Sequence, residues 1–264
     1  MIGILKDTSM NKLTRQQLEL INRRTIRYPL QIAEKDYFLA LAIQLVNNSL
    51  LGNKLVFKGG TAIHHCYLQQ KRFSEDLDFT SLDTNVSAED IISILESDGT
   101  FRVNKSYESD FTIKIERLQY QGLLGQPGNI KIEIDHHQNI VLPGITVSYQ
   151  NLWNVVSSVQ VMDLREICAE KIRAVSQRAR YRDFYDLYFL INDLGVPLDV
   201  TMEILKQKEI RTPVIAANII RNWLIAKEQM ESDLGSIYCS EEVANHEIEK
   251  LIQNIYFEDI GVTI

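Results

Sequence analysis

Lys54–Thr80, KLVFKGGTAIHHCYLQQKRFSEDLDFT, is the stretch that decides the fold, because several chemically costly features fall close together in it. Residues 54–58 predict a short buried strand, which Gly59 and Gly60 end. Apolar residues then recur at helical spacing, which predicts a helix with Thr61 at or near its N-cap. A strand that leads through a glycine turn into a helix offers unpaired N–H groups and the positive end of a dipole to an anion. The stretch therefore predicts a phosphate-binding turn.

Two aspartates follow in the extended segment 72–80. Side chains two apart in a strand share a face, so Asp76 and Asp78 lie side by side and point away from Leu77 and Phe79. Carboxylates this close repel each other unless a cation lies between them, and oxygen ligands suit Mg²⁺ or Mn²⁺. An exposed edge strand is the alternative for an Asp-x-Asp by itself. The glycine turn upstream favours the metal site.

The order of these features resembles a known enzyme fold. Residues 58–61 (KGGT), a short helix and then the segment 72–78 (RFSEDLD) resemble the nucleotidyltransferase fold of the DNA polymerase β type. More narrowly, they resemble the AbiEii family of nucleotidyltransferase toxins, whose relatives include the MenT toxins. The resemblance implies that the paired aspartates carry metal and that the turn binds a nucleoside triphosphate. The nucleotide-binding residues implied in this stretch are Lys58, Gly59, Gly60, Thr61 and Ser74.

A third carboxylate is expected on a later strand, because two-metal nucleotidyl transfer needs one beside the first two. Residues 111–120 and 129–135 both alternate apolar and polar side chains, and the turn sequence QGLLGQPG between them predicts a hairpin. Asp135 lies on the polar face of the second strand, and its position and the resemblance to the fold favour it as the third metal ligand. Glu133, on the same face, is the reserve. An exposed acidic strand face is the alternative to both.

A second group of charged residues lies in a helical stretch that begins at Asp163, its predicted N-cap. Lys171, Val175, Arg178 and Arg182 lie at offsets of four, seven and eleven, which places them along one stripe if the helix is unbroken. Basic side chains there would neutralise a triphosphate as charge moves onto the leaving pyrophosphate. A solvated basic face is the alternative.

The same region also resembles the second lobe of AbiEii proteins. The resemblance rests on residues 170–172 (EKI), followed by Arg182-Asp183-x-x-Asp186. It implies that Lys171 contacts the nucleotide phosphate and that Lys171 and Asp183 belong to the catalytic cleft; Arg182, from the basic stripe, is a further candidate for nucleotide binding. Asp183 and Asp186 can share a helical face, and pairing with a neighbouring arginine is the alternative role for either.

Composition excludes several classes of protein. With 45% hydrophobic and 24% charged residues among 264, the chain is ordinary for a soluble globular protein. Met1–Lys12 lacks the apolar stretch of a signal peptide, and the longest apolar run, 37–43, is too short to span a bilayer. We therefore expect a cytoplasmic protein with no membrane partner. The three cysteines and the adjacent histidines have no zinc or redox spacing, so no soft-metal site is expected.

The charge distribution bears on nucleic-acid binding. A net charge of −7 would disfavour non-specific binding if it were spread evenly. Residues 165–182, however, contain six basic residues and only two acidic ones. This basic cluster is compatible with a phosphate backbone.

The remaining patterns predict an α/β (α+β) protein with two lobes: a mixed sheet with flanking helices, and a helical C-terminal part. We place the catalytic lobe at residues 1–156 and the helical lobe at 157–264. A strand is predicted at 145–149, and helices are predicted at 9–24, 31–50, 87–95, 163–194, 199–206, 213–230 and 241–256.

Together these features predict an enzyme that transfers a nucleoside monophosphate from a triphosphate to an acceptor. Resemblance implies the toxin of a type IV toxin–antitoxin pair that acts on RNA, with the 3′ end of tRNA as the leading acceptor and a cognate antitoxin as partner. A small-molecule nucleotidyltransferase, for instance one acting on an antibiotic, is an alternative. A non-catalytic module of the same fold is another, but it would have no need to maintain a charged metal cage.

Overall fold

The computed structural model describes residues 12–136, 139–231, 237–257 and 259–263. The strands in these ranges are β1 Leu55–Lys58, β2 Asp76–Ser81, β3 Phe101–Glu108, β4 Thr112–Gln121, β5 Pro127–Asp135, β6 Ile145–Gln150 and β7 Val156–Val161. The helices are α1 Arg15–Arg24, α2 Leu30–Asn47, α3 Gly59–Cys66, α4 Ala88–Glu96, α5 Leu164–Gln177, α6 Tyr181–Asn192, α7 Leu198–Gln207, α8 Ala216–Glu228 and α9 Asn245–Asn254.

The strands form one mixed sheet in the order β3-β4-β5-β2-β1-β7-β6. Strands that are neighbours both in the sheet and along the chain pair antiparallel, for example β1 with β2 and β4 with β5. The pairs β2 with β5 and β1 with β7 are parallel, which requires long crossover connections. The predicted α/β class, with a sheet followed by a helical part, is confirmed.

The two faces of the sheet differ in polarity, as the alternating sequence predicted. Leu77 and Phe79 of β2 and Ile132 and Ile134 of β5 are buried on the face against which α2 packs. Residues paired across neighbouring strands point to the same side of a sheet. The opposite face therefore carries the charged residues of both strands: Asp76, Asp78, Lys131, Glu133 and Asp135.

Helix α2 packs against the apolar face of the sheet. It is buried along most of its length, and Phe38 stacks on Tyr120 of β4 with 3.9 Å between ring centroids. The sequence predicted this helix over 31–50, but it ends at Asn47, and Leu50 beyond it is 93% exposed. Leu51, one residue further on, is buried again, so the chain returns to the core after the helix has ended.

The predicted start of α3 and the predicted start of β2 both need correction. Helix α3 begins at Gly59, with Lys58 as N-cap, so Thr61 is its third residue and not the cap. Strand β2 begins at Asp76 and not at residue 72, because Arg72 pairs instead in an isolated bridge with Cys239. Arg72 is thereby held between the sheet and the C-terminal part.

The helical stretch from 163 to 194 is not one unbroken helix. Asp163 caps α5 as predicted, since its side chain accepts a hydrogen bond from the backbone of Arg165. The backbone of Arg178 and Arg180 is extended, and this break separates α5 from α6. The predicted stripe from Lys171 to Arg182 therefore does not continue past this break, although Lys171 and Arg178 both lie against Asp183.

Other elements agree with the sequence. The hairpin of β4 and β5, strand β6, and helices α7, α8 and α9 lie within a few residues of their predicted positions. Ser87 caps α4 with a reciprocal hydrogen bond to Asp90. Helix α1 begins after its cap Thr14, and residues 9–11 of the predicted helix lie outside the described residues.

Strands β3 and β7 were not predicted. The boundary proposed between residues 156 and 157 falls at the start of β7, and β7 pairs with both β1 and β6. The sheet therefore extends through Val161, and the helical part begins with α5. In the ranges that the structure describes, no helix is both long and apolar enough to cross a lipid bilayer.

Candidate active site

The glycine turn lies in direct contact with the aspartate pair. Gly59 has a φ of 77°, a conformation that favours glycine, and a Cβ at this position would collide with the carboxylate of Asp78. A Cβ on Gly60 would collide with the side chains of Arg72 and Ser74. Ser74, which was predicted to bind nucleotide, thus lies next to the glycine turn. Gly59 is favoured both by its φ and by this crowding, whereas at Gly60 a side chain would have to displace the ends of the Arg72 and Ser74 side chains.

Burial keeps both aspartates of the pair from ionising easily. It is the main cause that raises the pKa of Asp78 to about 6, and repulsion from Asp76 and Glu133 adds to it. Burial and the charge of Glu75 raise the pKa of Asp76, whose Oδ1 atom has no hydrogen-bond partner in the described part of the chain. Two close carboxylates with an unsatisfied buried oxygen are the features expected of a cation site.

The register of β2 against β5 distinguishes the two candidates for the third carboxylate. In the pairing of β2 with β5, Glu133 lies opposite Asp78, whereas Asp135 lies opposite Thr80, one step further along the face. The carboxylate of Asp135 is held 2.8 Å from the ammonium of Lys58. Register and this ion pair therefore favour Glu133, the reserve, over Asp135.

The carboxylates of Asp76, Asp78, Glu133 and Asp135 are not gathered around one point as the ligands of a metal ion would be. Nowhere in the described ranges are three aspartate, glutamate, histidine or cysteine side chains gathered as a metal site. The reason on β5 is that Glu133 reaches to Lys114 of β4, at 2.9 Å, while Asp135 is bound to Lys58. What remains open to a cation is the pair Asp76 and Asp78.

Two residues predicted to bind nucleotide serve contacts within the protein. Lys58 is 7% exposed and lies between Asp135 and Glu170, at 2.8 and 3.8 Å. Thr61 is completely buried, and its hydroxyl donates a hydrogen bond to the backbone carbonyl of Asp76. Lys58 thus joins the sheet to α5, and Thr61 fixes the start of β2 against α3.

Lys171 and Asp183 do come together, in a buried ion pair. The ammonium of Lys171 is 2.9 Å from Asp183 and 2.6 Å from Asp186. Lys171 also lowers the pKa of Asp78, against the effect of burial, so its charge acts on the aspartate pair. Although burial favours the neutral acid, Lys171 and Arg178 lower the pKa of Asp183 to about 2. Asp183 therefore acts by holding two cations beside the pair.

Asp186 is the centre of a network that the sequence did not predict. Arg72 donates to both of its oxygens, at 2.6 and 2.7 Å, and the Nε2 of His64 lies 2.9 Å from one of them. Burial is the main cause that lowers the pKa of His64 to about 4, so this histidine is neutral at pH 7 and donates to the carboxylate. Arg72 and Lys171 hold the pKa of Asp186 well below its ordinary value. The network joins α3 and the sheet to α5 and α6.

Arg178 and Arg182 are more exposed than Lys171, and their charges also act on the aspartate pair. The guanidinium of Arg178 lies 2.7 Å from Asp183, and the Arg178 side chain is 53% exposed. Although burial favours its neutral form, Asp183 and Asp78 raise the pKa of Arg178. The charge of Arg182 lowers the pKa of Asp76, against the effect of burial. The sequence placed Arg178 in a basic stripe, but its contact with Asp183 was not predicted, because it depends on the break after α5.

The segment 34–36 (EKD) upstream is explained by contacts within the fold. The carboxylate of Glu34 accepts a hydrogen bond from the backbone of Leu124 in the turn between β4 and β5. Lys35 pairs with Glu75, the residue before Asp76. Asp36 is 1% exposed and accepts hydrogen bonds from buried side chains, namely those of His65, Gln70 and Trp153. These residues support the strand that carries the aspartate pair.

Comparison with solved structures finds the same fold. MenT4, a nucleotidyltransferase toxin from Mycobacterium tuberculosis H37Rv, superposes with a TM-score of 0.70 at 20% identity, over 93% of this chain and 91% of that one. A putative nucleotidyltransferase from H. pylori superposes with a TM-score of 0.56 at 17% identity, over 86% of this chain and 95% of that one. A search of curated proteins found no match.

The sequence also matches the family model described as nucleotidyl transferase AbiEii toxin, type IV TA system, over residues 43–238. The match begins within α2 and ends one residue before Cys239, which forms the bridge with Arg72. It therefore covers both the glycine turn with the aspartate pair and the ion pairs of Lys171. The glycine turn lies against Asp78, and the charge of Lys171 acts on the same carboxylate. The chain belongs to the AbiEii family of nucleotidyltransferase toxins of type IV toxin–antitoxin systems.

Proposed function

We propose that this enzyme transfers a nucleoside monophosphate from a nucleoside triphosphate to the 3′ end of an RNA, with tRNA as the leading acceptor, and that it requires Mg²⁺ or Mn²⁺. The single observation that carries the proposal is the contact between the Gly59 turn and the carboxylate of Asp78. An anion-binding turn and a cation-binding acid are thereby in contact, as a metal-bound triphosphate requires.

Asp76 and Asp78 are the residues that would hold the metal. Mg²⁺ in phosphate-transferring enzymes is bound by one or two carboxylates together with substrate phosphates, not by a cage of protein ligands. The unsatisfied Oδ1 of Asp76 and the raised pKa of Asp78 fit such a site. Glu133, opposite Asp78, is the third acid in our proposal in place of Asp135. When bound, the metal lowers the pKa of the attacking hydroxyl and neutralises phosphate charge.

The roles of the other residues follow from their positions. The backbone N–H groups at Gly59 and Gly60, with the hydroxyl of Ser74 beside them, would bind the phosphates. Lys171 and Arg178, held by Asp183, would stabilise the charge that develops on pyrophosphate as it leaves. In our proposal Lys58 and Thr61 act indirectly, because Lys58 joins the sheet to α5 and Thr61 fixes the start of β2. Arg182 acts from the edge of the site.

Two features support an RNA acceptor and a toxin's role. Residues 165–182 concentrate basic side chains beside the cleft, which suits a phosphate backbone. The family to which the chain belongs consists of toxins of type IV toxin–antitoxin systems, from which we infer a cognate antitoxin as partner.

Label transfer from each of the four α-³²P nucleoside triphosphates to total tRNA, with Mg²⁺ or Mn²⁺, tests the proposal. We expect labelled tRNA with the wild-type protein and a loss of about 100-fold or more for Asp78→Asn, because the metal's share of transition-state stabilisation is lost. Glu75→Gln is the matched control, since Glu75 is a neighbouring acid that pairs with Lys35 and should leave transfer within about twofold.

An aminoglycoside mixture incubated in parallel distinguishes the acceptor classes. Label on the antibiotics and none on RNA would overturn the RNA acceptor while leaving the transferase reaction intact. An Asp78→Asn variant as active as the wild type would overturn the metal assignment itself.

A further inference from the structure

A cavity of about 370 Å³ opens beside the proposed third acid. It lies between the ends of β4 and β5, helix α5 and the segment that follows α7. Its volume is within the range of small-ligand sites in proteins. The residues that line it are Phe111, Thr112, Glu133, Asp135, Arg173, Gln177, Glu209, Arg211 and Thr212.

The position of the cavity relates it to the acceptor and not to the triphosphate. Glu133 lies in the cavity wall and also opposite Asp78 in the sheet, where neighbouring strands are about 4.8 Å apart. The acid beside the Asp pair belongs to the side where the attacking hydroxyl is activated. The Gly59 turn and Lys171, which would bind the triphosphate, contribute nothing to the lining. A hydroxyl held in this cavity would therefore lie next to the metal pair.

The lining has the side chains that bind a nucleotide. Phe111 is 58% exposed, and the guanidinium of Arg211 lies over its ring, 5.7 Å from the centroid. Aromatic rings and guanidinium planes are the surfaces on which unpaired bases stack. The hydroxyl of Thr112 is buried in the wall and has no hydrogen-bond partner among the described residues. A small movement of the wall would let it donate to or accept from a ribose or a base.

The lining contains three acids, Glu133, Asp135 and Glu209, and two arginines, Arg173 and Arg211, so the charge that a ligand meets depends on how these groups are paired. Glu133 and Asp135 are each paired with a lysine outside the cavity lining, Lys114 and Lys58. Arg173 donates a hydrogen bond to the backbone carbonyl of Glu209, at 3.4 Å, and its charge also acts on Glu170, which is shared with Lys58 and Lys208. Arg173 and Arg211 together would attract a phosphate and repel a polycationic sugar.

We propose that this cavity binds the 3′-terminal nucleotide of a single-stranded RNA acceptor, with its base stacked on Phe111 and its phosphate at Arg211 and Arg173. The inference rests on the proposed function and names the acceptor subsite of the same active site. It assigns the 3′-hydroxyl to the side of Glu133.

The experiment uses the full chain, tRNA, and a short single-stranded RNA with a 5′ fluorophore and a free 3′-hydroxyl. Phe111→Ala should raise KM for tRNA and Kd for the short RNA about 5- to 100-fold, because one base stack is lost. Phe111→Tyr keeps the ring and should bind as the wild type does. KM for the nucleoside triphosphate and Tm should stay unchanged in both variants. Tyr256→Ala, which removes another exposed ring at a distance from the cavity, is the matched control.

Arg211→Ala provides a second, independent arm. It should reduce the slope of log Kd against log salt concentration by about 0.7, the contribution of one phosphate contact on a single strand. If RNA Kd and KM stay within about twofold of wild type in both Phe111→Ala and Arg211→Ala, the cavity is not the acceptor subsite.

That negative result would leave the proposed function standing as long as the wild type labels RNA. Conversely, a wild-type protein that transfers no label to any RNA, yet loses RNA affinity in Phe111→Ala, would retain the binding subsite and overturn the proposed acceptor reaction. Label found only on aminoglycosides, with no measurable RNA binding, would overturn both.

Discussion

At the scale of single residues, the site combines groups whose ionisation is opposed by their surroundings. Asp78 is buried beside Asp76 and Glu133 and retains its proton up to a pH of about 6. Near neutral pH its negative charge is therefore retained at a cost in folding stability, which a bound cation would offset. Such a conflict is typical of residues that serve a reaction and not the fold.

The stability of an Asp78→Asn variant should report this conflict. The folded protein holds the proton of Asp78 more tightly than the unfolded chain does, so stability is lost as the pH rises from about 4 through about 6. Without metal, we expect Asp78→Asn to have a higher Tm than the wild type at pH 8 and an equal Tm at pH 4. Thermal unfolding at the two pH values measures this difference.

Asp83→Asn is the control of opposite sign. A hydrogen bond from Lys54 is the main cause that lowers the pKa of Asp83 to about 2, so its ionised form stabilises the fold above the ordinary pKa of an aspartate. This variant should have a lower Tm than the wild type at pH 8. An equal fall in Tm for Asp78→Asn and Asp83→Asn would contradict the conflict that we describe.

At the scale of elements, the turn between β1 and α3 depends on glycine for two separate reasons. Gly59 has a positive φ, and its Cα also faces the carboxylate of Asp78 with no room for a Cβ. Gly99 has a positive φ of 71°, but a Cβ there would meet nothing within 4 Å. A comparison of Gly59 with Gly99 therefore separates the effect of backbone strain from the effect of crowding at the site.

Alanine substitutions at the two glycines test this distinction. Gly99→Ala should lower the free energy of unfolding by about 1 kcal/mol through backbone strain alone and leave transfer unchanged. Gly59→Ala should have a larger effect on stability and should also abolish most of the transfer activity, because Asp78 must move. Denaturant unfolding and the tRNA labelling assay give the two measurements. Transfer by Gly59→Ala at the wild-type rate would show that the contact with Asp78 is not needed.

The break between α5 and α6 is the second element that shapes the site. In a single helix from 163 to 194, Asp183 would lie about 18 Å along the axis from Lys171, too far for an ion pair. The extended residues 178–180 instead allow Asp183 to lie against both Lys171 and Arg178. The charged pattern in the sequence thus grouped Lys171 with Arg178, but the break after α5 sets how they are arranged.

At the scale of the whole molecule, the cleft depends on a buried ion network that joins the sheet to the helical part. Arg72 comes from the segment before β2, and Asp186 and Lys171 come from α6 and α5. The Arg72 and Asp186 side chains are 2% and 0% exposed, so removal of one partner leaves an uncompensated buried charge.

Asp186→Asn should therefore lower the free energy of unfolding by about 3–5 kcal/mol. Glu19→Gln is the matched control, because it breaks an exposed ion pair with Arg15, and it should cost less than about 1 kcal/mol. Denaturant unfolding of both variants measures the difference. Equal small effects would mean that the network does not hold the two parts together.

Much of the fold and part of the site were predictable from sequence because they depend on short-range patterns. The strand, glycine turn, helix and aspartate pair occupy 27 consecutive residues, from Lys54 to Thr80. The alternation in the hairpin determined which face each residue of β5 occupies. The same local pattern could not place β7, since SSVQV resembles many exposed segments and becomes a strand only by pairing with β1 and β6.

By itself, the sequence determined the chemistry of the cleft: two adjacent acids on one strand face, a glycine turn before them, and a lysine followed by a second acidic pair. Only the tertiary structure decided which groups meet. The register of β2 against β5 put Glu133, and not Asp135, opposite Asp78. Packing of α5 and α6 on the sheet made Asp186 the partner of Arg72. The physical reason is that side-chain direction depends on neighbouring residues, whereas distances between charged groups depend on how separate elements pack.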